Sequence, residues 1–167
     1  MSNQKKKIFL LADSAVDLRF IHDQLNDIYD VRWVFYNKKL RRDLFELGYE
    51  KKKMILINSF GFFLKKILSK FLKPNLFNLE KELINNIKTI NKKLKPDLWI
   101  TDTGNILSKV DIKTTKVTFK HSVPYKKYFL ADNIFDYDYV FIPGEYHLNR
   151  IVNFYKEKKK ELEKKLV

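Results

Sequence analysis

KKIFLLADSAVDLRFIHDQLNDIYDVRWVFY (residues 6–36) reads as strand, helix and strand in one uninterrupted span. KKIFLLA (6–12) is a short apolar run, suited to a strand buried on both faces. Asp13 or Ser14 can cap the next element, in which Val16, Phe20, Ile21, Leu25 and Ile28 form one helical stripe. VRWVFY (31–36) is β-branched and aromatic, a second strand.

The alternation continues outward from this unit. KKLRRDLFELGYE (38–50) reads as a short helix closed near Gly48, and MILINS (54–59) as a third strand. Asn78 can cap a helix carrying Leu79, Leu83, Ile87, Ile90 and Leu94, ended by Pro96. DLWITD (97–102), KVTF (116–119) and YVFIP (139–143) are three more strands, and a charged helix spans about 145–165. Strands alternating with helices predict an α/β fold: one Rossmann-like domain over 1–167, its parallel sheet flanked by helices. The turn ADSAVD after the first strand has no glycine, and the chain has only Gly48, Gly61, Gly104 and Gly144. A dinucleotide fingerprint or P-loop needs glycines so that backbone amides can approach phosphates, so no nucleotide cofactor is expected in the usual Rossmann position.

Composition narrows the classes. Hydrophobic residues make up 45% and charged residues 32%, a globular rather than disordered balance. Without cysteine there is no disulfide framework and no thiolate metal site. MSNQKKKIFLLADS does not read as a signal peptide, since Asp13 follows a very short apolar run. No window approaches the ~20 apolar residues of a spanning helix, so a cytoplasmic protein with at most peripheral membrane contact is expected. The net charge of +14 is overwhelmingly lysine, arginine occurring only at 19, 32, 41, 42 and 150. Bidentate recognition of bases and phosphates favours arginine, so nucleic acid is not the expected partner.

FGFFLKKILSKFLK (60–73) has helical periodicity. Phe60, Phe63, Leu64, Ile67, Leu68, Phe71 and Leu72 share one face, while Lys65, Lys66, Lys70 and Lys73 share the other without any acid. Such a helix either packs on the core or enters an anionic bilayer surface. In the second case Phe63, Ile67 and Phe71 insert while Lys66 and Lys70 meet headgroups.

His121 follows the KVTF strand, where open α/β sheets bind ligands beyond the carboxyl ends of their strands. A histidine there can take a proton from a hydroxyl nucleophile, and Lys126 and Lys127 can meet a substrate phosphate. Asp102 ends the preceding strand and can orient the imidazole or line the same cleft. Taken from spacing alone, the reading of His121 as an ordinary surface loop residue, with the lysines as two of many, outweighs the catalytic one. His22 lies off the apolar stripe of its helix and reads as a surface residue; His147 opens the last helix as a cap or packing contact. The three histidines share no metal-ligand spacing, so no metal is expected. No G-x-S-x-G elbow for a serine hydrolase occurs.

KPDLWITD (95–102), KVTFKHSVPYKK (116–127) and FDYDYVFIPGEYHLNRI (135–151) together resemble the N-terminal half of CDP-glycerol glycerophosphotransferases, the polymerases of teichoic acid and related capsules. That family carries a strand leading into HGxPxK, then a YDY segment and another strand. The resemblance covers roughly residues 95–150. It implies the acceptor-side half of a two-domain GT-B enzyme, attached peripherally to the inner face of the membrane. His121 then corresponds to the base that activates the acceptor hydroxyl, with Pro124 and Lys126 as the motif proline and lysine. Ser122 stands where the family has glycine, bordering the substrate, and Gly144 stands near the family serine.

The resemblance also implies that a C-terminal domain holds the CDP-alcohol donor. The chain is therefore expected to need that domain, or a partner chain, for turnover on a polymer or lipid-linked acceptor. Two other classes stand beside it: a non-catalytic peripheral membrane or partner-binding module of the same fold, and a basic nucleic-acid binder.

Overall fold

The computed structural model describes residues 5–14, 18–57, 79–102, 106–119 and 132–167. Its centre is β1 (Lys7–Leu11), whose five residues are buried except at the first position. β1 pairs with β2 (Asp30–Phe35) on one side and with β4 (Leu98–Thr101) on the other, both parallel. Adding β3 (Met54–Leu56), β5 (Thr115–Phe119) and β6 (Tyr139–Phe141) gives one six-stranded, all-parallel sheet of order β3-β2-β1-β4-β5-β6. The strand order reverses between β1 and β4, the switch point of a Rossmann-like sheet. The α/β expectation therefore holds.

Successive side chains point to opposite faces, which creates two cores. On one face Ile8, Leu10, Trp33, Phe35 and Ile100 pack beneath α1 (Arg19–Leu25) and α2 (Lys38–Glu46). On the other, Phe9, Leu11, Val34, Trp99 and Val140 meet α3 (Leu79–Leu94), α4 (Glu145–Phe154) and α5 (Lys159–Glu163). Side-chain hydrogen bonds fix α3 on the sheet: Asn91 Oδ1 accepts from the Trp99 indole N–H at 2.8 Å and from the Thr114 hydroxyl at 2.9 Å.

Local signals set the helix ends. Asn37 caps α2, its side chain accepting from the Lys39 N–H at 2.9 Å. Gly48, at φ 90°, takes the left-handed position after that helix. The Gly48 N–H then reaches the Phe45 carbonyl at 3.0 Å and the Tyr49 N–H the Leu44 carbonyl at 3.1 Å, the paired bonds of a Schellman closure.

Several sequence expectations are corrected. α1 begins at Arg19, after Leu18, and no side-chain cap hydrogen bond forms there. Phe20 and Ile28, expected on its buried stripe, are 58% and 63% exposed, because Leu18, Ile21, His22 and Leu25 are the residues turned toward the sheet. The single C-terminal helix is instead α4, a 3-10 turn at Lys156–Lys158 and α5, with the break at Tyr155. Buried Tyr155 meets Phe135 edge-on at 5.1 Å, and that anchor redirects the chain. Residues 165–167 then lie along the outer edge of β6. The Val140 N–H donates to the Lys165 carbonyl at 2.8 Å and the Val167 N–H to the Val140 carbonyl at 3.1 Å, so this edge of the sheet is not left open.

Candidate functional site

The carboxyl ends of β1, β2 and β4 bring together Asp13, Tyr36 and Asp102. The Tyr36 hydroxyl donates to Asp13 Oδ1. Burial, that hydrogen bond and the charges of Asp13 and Asp102 all push the Tyr36 phenol well above its ordinary value, so it stays protonated. Asp102 is 6% exposed and Thr101, beside it, is fully buried. Thr101 pairs with Thr118 across β4 and β5, so Asp102 and Phe119 leave the sheet side by side. Asp13 and Ser14 also border an open cleft against α2, together with Asn37, Lys39, Asp43 and Glu46.

Two carboxylates and a phenol at the switch point make this a hydrogen-bonding rather than a phosphate-binding surface. Carboxylates accept from hydroxyl groups and repel phosphate, so the arrangement suits a polyol or sugar hydroxyl; any phosphate there needs cations from elsewhere. Of the three, the sequence marks only Asp102 as a site residue. From the sequence, Asp13 reads only as a cap and Tyr36 only as a strand residue. The signal available was positional: each lies just beyond the carboxyl end of a strand, as Asp102 does.

His121, Ser122, Lys126 and Lys127 lie outside the described residues, as do Phe63, Lys66, Ile67, Lys70 and Phe71 and the Asn78 cap. Their attachment points are described. β5 ends at Phe119, two residues before His121, and Ile57 donates its N–H to the Phe35 carbonyl at the carboxyl end of β2 and β3. Both expected functional segments therefore depart from the same edge of the sheet as Asp13, Tyr36 and Asp102.

A second polar cluster lies at the opposite, amino edge, and it corrects the expected surface position of His22. That histidine is 6% exposed, its ring stacked on Trp33 at 5.3 Å and met edge-on by Tyr49 at 4.6 Å. Its Nδ1 lies 3.3 Å from Asp23 Oδ1, which also accepts from the Tyr49 hydroxyl at 2.8 Å. Burial lowers the histidine pKa, and the Asp23 hydrogen bond and charge only partly oppose it. Burial also pushes the Tyr49 phenol up to about 12, reinforced by Asp23. Nearby, Asp30 is held below its ordinary pKa: burial acts to raise it, and hydrogen bonds from Arg32 and Lys53 outweigh burial. Stacked on Trp33 and met edge-on by Tyr49, His22 is a packing element of the α1–β2 layer.

Among the described residues no helix is long and apolar enough to cross a membrane. The sequence matches no protein-family model, and no curated protein matches it.

Proposed function

We propose that this chain is the acceptor-side domain of a CDP-glycerol glycerophosphotransferase-like enzyme, or a related glycosyltransferase of cell-surface polymer synthesis. The observation that carries this reading is the Asp13–Tyr36–Asp102 cluster, set beside the strand end from which HSVPYKK departs. In this reading the carboxylates hold the hydroxyls of a glycerol- or sugar-bearing acceptor. His121 removes the proton of the attacking hydroxyl, whose oxygen attacks the β-phosphorus of the donor, and CMP leaves. Lys126 and Lys127 hold phosphate, and Ser122 borders the acceptor. Residues 60–73 attach the same edge to anionic membrane through Phe63, Lys66, Ile67, Lys70 and Phe71, which would bring a lipid-linked acceptor to the cleft. The donor is held by a second domain or partner chain.

Acceptor binding tests the reading. Soluble glycerol-phosphate oligomer is titrated against the wild type, Asp102→Asn and Asp13→Asn, with folding checked by circular dichroism. Each substitution removes a charged acceptor, and hydrogen bonds to charged groups contribute ~1.5–3 kcal/mol, so affinity falls by at least ~10-fold. Unchanged affinity in folded variants removes the cleft from the acceptor site.

A further inference from the structure

We infer that the half of the sheet formed by β4, β5 and β6, on the face shared with α1, is a docking groove for an acidic amphipathic helix of another chain. This inference does not depend on the transferase reading. A parallel sheet is ordinarily covered on both faces. Here α3, α4 and α5 all pack on one face, and among the described residues only α1 and α2 pack on the other, over β1 to β3. The remaining strip is an apolar groove floored by Leu98, Val117 and Phe141 and walled by Tyr29 and Tyr139. Tyr139 is 47% exposed. Toward the carboxyl end an aromatic ladder extends it: Phe141 stacks on Phe119 at 4.7 Å, and Phe119 meets the exposed Phe20 edge-on at 5.9 Å.

Size and charge identify the occupant. At ~4.8 Å per strand spacing, β4 to β6 span about 10 Å, the diameter of one α-helix. A groove walled by α1 on one side admits a helix more readily than a flat bilayer. Lys6 lines the mouth, and Lys95 and Lys113 stand just before β4 and β5; the side chains of all three are exposed with no ion pair among the described residues. The acid at the mouth, Asp97, is already engaged by the Lys7 N–H at 2.8 Å. A helix with acidic flanks complements this rim. The chain's own 60–73 stretch has only lysines on its polar side, and a second copy carries the same +14, so both match the rim poorly.

The test uses the full chain and a labelled 18-residue Leu/Ala/Glu amphipathic peptide, followed by fluorescence anisotropy. A scrambled peptide of identical composition controls for bulk charge, and a Leu/Ala/Lys version for sign. The amphipathic acidic peptide is expected to bind at least ~10-fold tighter than either control. Tyr139→Asp and Lys6→Glu/Lys113→Glu, both surface changes checked by thermal unfolding, are each expected to remove that preference. Equal binding of amphipathic and scrambled acidic peptides overturns the proposal, as does peptide binding that survives both variants. Binding that appears only when Phe63→Glu/Phe71→Glu is introduced assigns the groove to the chain's own segment and also overturns it. So does a groove that binds vesicles of anionic lipid, lost in Tyr139→Asp, while ignoring the peptide.

Discussion

Replacing Asn91 with alanine tests how the second half of the sheet is held in place. Asn91 Oδ1 is the shared acceptor for the Trp99 indole and the Thr114 hydroxyl. Trp99 is fully buried, so Asn91→Ala strands a donor that water cannot reach. An unsatisfied buried donor costs ~1–3 kcal/mol beyond the lost bond itself, while alanine's better helix propensity returns at most ~0.7 kcal/mol. The net loss is about 2 kcal/mol, equivalent to about 4–8 °C in Tm for a domain of this size. In a Trp99→Phe background no indole remains to be stranded, so the same substitution should cost about 1 kcal/mol less. Urea unfolding followed by far-ultraviolet circular dichroism measures all four corners of the cycle. Coupling below ~0.3 kcal/mol would show that the α3–β4 contact is not energetically tied through this acceptor. The consequence reaches the site, because β4 carries Asp102 at its end and Thr114 leads into β5.

Three further outcomes follow from the same geometry. The folded-state pKa of His22 is lowered below 6.5, so the unfolded chain binds more protons in the window beneath that value. Stability is thus fully present above pH 6.5 and falls as pH drops toward the lowered folded value; His22→Phe should flatten this part of a Tm-against-pH curve, and an unchanged slope would contradict a buried neutral imidazole. Lys95 closes α3 at φ 47°, a conformation glycine adopts without a Cβ penalty, so Lys95→Gly should be neutral or stabilising by up to ~1 kcal/mol, and a clear loss in chemical denaturation would contradict this. In co-sedimentation with anionic liposomes, Phe63→Glu/Phe71→Glu should lose binding while Tm holds; equal pelleting of both proteins would exclude 60–73 as the membrane contact.

The fold was legible because a parallel sheet writes itself as apolar runs, and KIFLL, VRWVF and LWIT each stand between helical stripes. Gly48 announced the end of α2 because the left-handed turn there favours a residue without a Cβ. What the sequence does not show depends on contacts between residues distant along the chain. His22 lies off the apolar stripe of its helix and so reads as external, yet Trp33 from β2 and Tyr49 from beyond α2 enclose it. Tyr155 gave no local stop signal, since its break comes from packing on Phe135 rather than from proline or glycine. Of the site, Asp102 was legible from its place at a strand end. The Asp13–Tyr36 pairing was not, because it joins residues 23 positions apart across two strand ends.

Turnover with and without the imidazole at position 121 tests the central claim most directly. The chain is combined with a donor-binding half, CDP-glycerol and a glycerol-phosphate acceptor, and CMP release is followed over time. Release is expected only with both halves present, and is expected to fall at least ~100-fold in folded His121→Ala while acceptor affinity persists. CMP release that proceeds at the wild-type rate in His121→Ala, in step with acceptor extension, would contradict that claim.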